Sequence, residues 1–140
     1  MKKRTTHQQN FRLIESELYF FKDTKKALIE MESAIVESSG HSETGIRAGI
    51  SNPTAQKAER LLTSLEYLET KRRVEAIEYA VEVFKKCHEP AKLRLIEMKY
   101  FERRYTDEGI IGELKVSRPS FFRWKREFVE LIANKLGFVI

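Results

Sequence analysis

The stretch KVSRPSFFRW, Lys115 to Trp124, sets three basic side chains among three aromatic rings and a Ser-Arg-Pro step. A guanidinium is a planar donor that clasps a phosphate or makes paired hydrogen bonds to guanine O6 and N7, and an aromatic edge can touch a thymine methyl. Ser117 is placed as an N-cap, with Pro119 inside the first turn, where a missing N–H costs nothing. The unpaired N–H groups and positive dipole end of such a helix favour an anion. The candidate contacts are therefore Arg118, Arg123 and Arg126 to phosphates and base edges, with Ser120 and Phe122 at the groove. Ser117 positions the helix start, and Lys115 and Lys125 are expected to reach flanking phosphates. The inward face is expected to hold Phe121, Phe128, Leu131 and Ile132, with Trp124 at its edge. Any one arginine reads equally well as a solvated surface group; the three together, near a helix start, favour a duplex.

The elements that must position these residues are helical. Ile110, Ile111 and Leu114 fit a short helix capped by Thr106 or Asp107, closed by a tight turn at Lys115 and Val116. Helix, tight turn, helix is the outline of a helix-turn-helix. Before it, Pro90 forces a break, a short helix runs from Ala91 to Phe101, and ERRY makes a turn. The spacing of Leu61, Leu62, Leu65, Leu68, Val74, Ile77, Val81 and Phe84 predicts one helix from the Asn52–Pro53 entry to about Lys86, roughly 50 Å long. Phe11, Ile14, Leu18, Phe21, Leu28 and Ile35 predict another over 11–36. Residues 1–10 read as a flexible basic arm and 38–52, rich in Ser and Gly, as a flexible linker or a loop that orders on binding. The expected fold is all-α: a long helical pair over 11–89 that oligomerises or contacts a partner, then a helix-turn-helix bundle over 90–140.

Charge agrees with that division. The chain carries 26 Lys plus Arg against 21 Asp plus Glu, and residues 90–140 hold eleven basic and seven acidic groups, whereas 51–89 are balanced. A surplus located beside the candidate helix fits an anionic partner. One cysteine, Cys87, excludes an intramolecular disulfide and fits a reducing compartment. No run of eighteen apolar residues predicts a membrane span, so a cytoplasmic protein is expected. His7, His41 and His88 have no metal-ligand spacing, and Cys87 and His88, adjacent on a helix, diverge by about 100 degrees. With no Walker loop, nucleotide fingerprint or nucleophile elbow, the reading is a protein without catalytic activity or cofactor.

The run PAKLRLIEMKYFERRYTDEGIIGELKVSRPSFFRWKREF resembles the C-terminal helix-turn-helix of sigma factors. Over residues 14–137, the order of ESELYFFKDTKKAL, SNPTAQKAERLL, IEMKYFER and VSRPSFFRWK resembles the RinA-type phage transcriptional activators. The resemblance implies activation of late genes in a bacterial host, an operator on double-stranded DNA, the host RNA polymerase as partner, and a homo-oligomer, with a dimer favoured. This sequence departs from the motif at Ile111, where Ala is usual, and at Lys115, where Gly is usual, which bears on the shape of the turn. Two other classes share the outline. A small terminase-like DNA-packaging subunit would assemble into a ring, and a purely helical protein-protein interaction module would ignore DNA.

Overall fold

The computed structural model describes residues 5–40 and 64–140, together with Gln56 and Arg60. The described residues are all-helical: α1 Thr6–Tyr19, α2 Phe21–Gly40, α3 Leu65–Lys85, α4 Pro90–Ile96 with a π-helical continuation Glu97–Glu102, α5 Asp107–Leu114 and α6 Arg118–Leu136. The expected entry at Asn52–Pro53, Leu61 and Leu62, and positions 41–52 of the expected linker lie outside the described residues. Positions 38–40 continue α2.

Two compact units divide the chain, one made of Met1–Lys22 with Arg73–Ile140, the other of Asp23–Arg72. The first has a single apolar core. Ile14 and Leu18 of α1, Ala76, Ile77, Ala80 and Phe84 of α3, Leu95 and Ile96 of α4, Met98 and Tyr100 of the π segment and Ile110 of α5 converge there. They meet Phe121, Phe128, Val129, Ile132 and Ala133 of α6, whose spacings of seven, eight, eleven and twelve from Phe121 define one helical stripe. Fully burying one such aromatic side chain contributes roughly 1.5–3 kcal/mol. In the second unit Leu28 and Ile35 of α2 and Tyr67 of α3 are buried, and the Tyr67 hydroxyl donates to Glu32 Oε1 at 3.3 Å.

The N-terminal half departs from the expected layout in four ways, of which one is that the expected single helix over 52–86 is not continuous: Ser64 is non-helical and its hydroxyl accepts from the Tyr67 N–H at 3.2 Å, at the start of α3. Helix α1 begins within the expected arm, because Thr5 and Gln8 form a reciprocal capping box that satisfies two otherwise unpaired N–H groups. The expected helix over 11–36 is two helices, interrupted at Phe20, whose φ of −98° and ψ of 8° leave the helical range. Leu65 and Leu68 remain exposed, and Tyr67 is buried in their place.

The end of α4 is also unusual. The π segment closes with the Arg103 N–H on the Met98 carbonyl at 3.3 Å, and Arg103 takes a left-handed φ of 59°. Its guanidinium lies 5.3 Å from the Tyr19 ring centroid and donates to the Tyr19 carbonyl at the end of α1. Cations at a helix C-terminus are favoured by the partial negative charge there. Arg94 reaches along the segment to Glu102, with Nη1–Oε1 at 2.6 Å, and this hydrogen bond holds the Glu102 carboxyl below its usual range.

A carboxyl depressed in the folded state contributes stability above its unfolded pKa, and that contribution is lost as pH falls through the folded value. Melting temperatures followed from pH 6 downward should therefore decline less steeply in Glu102→Gln than in the unaltered protein. Parallel declines would assign the acid sensitivity to other groups.

Candidate nucleic-acid interface

The turn between α5 and α6 is built from backbone hydrogen bonds. Thr106 caps α5, its hydroxyl accepting from the Gly109 N–H at 3.1 Å. At the other end Lys115 adopts a left-handed φ of 52° and ψ of 43°, and the N–H groups of Lys115 and Val116 both turn back to the Ile111 carbonyl. This is the Schellman type of helix ending, which glycine usually serves. The turn thus keeps the shape a glycine would give, with lysine at the strained position. Ser117 then caps α6 as expected, accepting from the Ser120 N–H at 3.2 Å, and its hydroxyl also donates to Ser120 Oγ at 2.8 Å.

With Phe121 and Phe128 fully buried, α6 has one rotational setting. Arg118, Phe122, Arg123 and Arg126 are exposed, with Arg123 opposite the buried stripe, and Ser117 and Lys115 are exposed in the preceding turn. Each exposed arginine has a local partner. Arg118 Nη1 is 3.0 Å from Glu108 Oε1 and its guanidinium lies 5.5 Å from the Phe122 centroid. Arg126 Nε is 3.2 Å from Glu130 Oε1, one turn on. Arg123 Nη2 is 3.4 Å from Ser120 Oγ, and among the described residues no carboxylate pairs with it. Side chains of Arg118 and Arg126 are 63% and 59% exposed, so water and salt screen both ion pairs strongly and an incoming phosphate can displace the carboxylates.

Glu108 itself sits in the first turn of α5. Its own backbone N–H and then Arg118 hold its carboxyl below the usual range.

Lys125 departs from its expected place. Its side chain is only 14% exposed, with the ammonium 3.6 Å from Glu15 Oε2 and 5.7 and 5.3 Å from the Phe11 and Phe122 ring centroids. Position 125 is four residues after Phe121 and three before Phe128, which puts it on the core side of the helix. Lys125, expected beside a flanking phosphate, therefore joins α6 to α1. Ser120 is half-buried and acts in the cap as well as at the surface. Phe122, expected at the groove, is exposed and packs edge-on against Phe121, with ring centroids 5.1 Å apart.

The partly buried Lys125–Glu15 pair continues inward. Tyr100 O–H donates to the same Glu15 oxygen at 2.7 Å. Burial first, and the Glu15 charge second, push the Tyr100 hydroxyl well above its ordinary pKa, which keeps it a neutral donor. This network was not legible in the sequence, although Lys125 at a core-side helical position is a signal for it.

Among the described residues no group of three or more His, Cys, Asp or Glu is arranged to hold a metal ion, and no helix is long and apolar enough to cross a membrane. No family model, curated protein or solved structure matches the chain.

The left-handed conformation at Lys115 costs an L-residue about 1 kcal/mol. Lys115→Gly should therefore raise the urea midpoint slightly, by no more than about 0.5 kcal/mol in stability once the greater unfolded-state freedom of glycine is subtracted. A lowered midpoint would show that the lysine side chain stabilises the turn by more than the strain it carries.

Proposed function

We propose that this chain is a non-enzymatic, sequence-specific regulator that binds double-stranded DNA through α6, with its N-terminal half in the major groove. The observation that carries the reading is the exposed set Arg118, Phe122 and Arg123 on the leading turns of a helix whose inward stripe is fixed in the core. An α-helix fits the major groove by width, and an Arg reads guanine there through two parallel hydrogen bonds. Lys115 and Ser117 stand where the turn would meet the backbone, and Arg126 follows along the same helix.

The motif resemblance extends the proposal to activation of a phage promoter in the cytoplasm of a bacterial host, with the host RNA polymerase as partner. Self-association as a dimer is part of it, and the exposed apolar side chains Ile29, Val36, Leu65 and Leu68 of the second unit support that. The same residues favour a second reading, a helical module that binds another protein and no DNA. Saturable binding of a duplex by the full chain separates the two, and fragments selected from a random pool supply the operator.

With an operator in hand, Arg123→Ala is expected to weaken specific binding by about 1–3 kcal/mol and relax the preference at one base pair. Equal loss on specific and random duplexes would make Arg123 a backbone contact, and no loss on either would remove it from the interface. Glu108→Gln should act in the opposite direction, tightening binding to every duplex because phosphate no longer competes with a carboxylate for Arg118. Unchanged affinity in that variant would show that the ion pair is already open in solution.

A further inference from the structure

Helix α1 lies against α6, joined to it by the Lys125–Glu15 ion pair and by Phe11 under the Lys125 ammonium. Between them opens a cleft of about 440 Å³, lined by His7, Phe11 and Arg12 of α1 and by Arg126 of α6, with Glu15 also in its wall. Glu15 is already engaged, since its Oε2 accepts from Tyr100 at 2.7 Å and sits 3.6 Å from Lys125. Arg126 holds Glu130 through Nε, and its two terminal nitrogens remain as donors. Among the described residues, neither Arg12 nor His7 is paired with a carboxylate. The cleft is thus a basic recess with an aromatic floor, its one acid compensated from within.

We infer that this cleft seats a backbone phosphate of the duplex that α6 enters, with Arg12 and Arg126 as its donors and His7 at the rim. The inference rests on the proposed DNA-binding reading and adds α1 to the interface. Two facts select this occupant. A helix in a groove about 12 Å wide has a phosphate strand along each flank, and α1 occupies one flank of α6. Arg126 belongs to the cleft and to the same helix as Arg118 and Arg123, at about 1.5 Å rise per residue some 12 Å beyond Arg118, so one strand can run past both.

The experiment is fluorescence anisotropy of labelled duplexes with the full chain at several salt concentrations, for the unaltered protein, Arg12→Gln and Arg12→Lys. Each neutralised phosphate adds about −0.9 to the log-log salt slope. Arg12→Gln should bind specific and random duplexes more weakly by the same factor, with a slope shallower by about 0.9, while Arg12→Lys keeps the slope. If Arg12→Gln matches the unaltered protein in affinity and slope, the cleft takes no phosphate and the inference fails while the DNA-binding reading stands. A loss of slope in Arg12→Lys as well would mean that Arg12 acts through packing, which also overturns it. Absence of saturable binding by the unaltered protein would sink both. A final arm titrates adenosine monophosphate: saturable binding lost in Arg12→Gln, with an unchanged duplex slope, would reassign the cleft to a small anion.

Discussion

Burial of Phe121 and Phe128 in the core shared by α1, α3, α4 and α5 sets the rotation of α6 about its own axis, and the outward direction of Arg123 follows from that setting. With positions 121, 128, 129, 132 and 133 facing inward, Arg123 lies on the opposite side of the helix, while Arg118 and Phe122 are exposed in its leading turns. Truncating a buried Phe to Ala typically costs 3–5 kcal/mol, several times the worth of an exposed ion pair. The outward direction of Arg123 is therefore imposed by the core, and the partners of Arg118 and Arg126, Glu108 and Glu130, are weak enough to be exchanged.

The polar link between α1 and α6 obeys a different balance. Removing an ammonium and a carboxylate from water costs several kcal/mol per ion, which their mutual attraction offsets only when other hydrogen bonds complete the site. Glu15 meets that condition with Tyr100 on one side and Lys125 on the other, and the two aromatic rings flanking the Lys125 ammonium add a cation-π contribution. Such a pair adds little net stability compared with apolar packing. Its value lies in register, because sliding α1 by one residue along α6 would strand a buried charge.

What could be read from the chain alone was whatever is local. The caps at Thr106 and Ser117, the break at Pro90 and the stripe of α6 are decided within a few residues, so composition and spacing revealed them. Helix α1 starts early because of a Thr-x-x-Gln capping box that is also local, but it lacks the apolar run that draws attention to a helix. The break at Phe20 has no such sign: no Gly or Pro marks it, and the apolar period runs straight through. It is fixed by packing instead, with Tyr19 set edge-on against Tyr100 and Phe21 against Phe101 at centroid distances of 5.0 and 5.3 Å. The packing of Lys125 against α1 follows from its helical position, four residues after Phe121, which its charge alone does not reveal. The contribution of α1 to a basic cleft was hidden for the same reason as the break, since it depends on a contact spanning more than a hundred residues.

Among the described residues two non-glycine residues are left-handed, Arg103 and Lys115; they bracket α5, and both are basic. Each carries roughly 1 kcal/mol of backbone strain. Each also closes a helical segment whose last carbonyls bear partial negative charge, where a nearby cation contributes about 0.3–1 kcal/mol. The Arg103 guanidinium spends its own charge on the end of α1, at the Tyr19 carbonyl, whereas the Lys115 ammonium stands exposed beside the turn. Side-chain-bearing residues thus hold turns that glycine commonly makes. The geometry gains rigidity from this, because a Cβ at φ near 55° confines the backbone more tightly than glycine would. The angle between α5 and α6 is then held by the turn itself as well as by the core, and a helix presented to a groove depends on that angle more than on any one of its contacts.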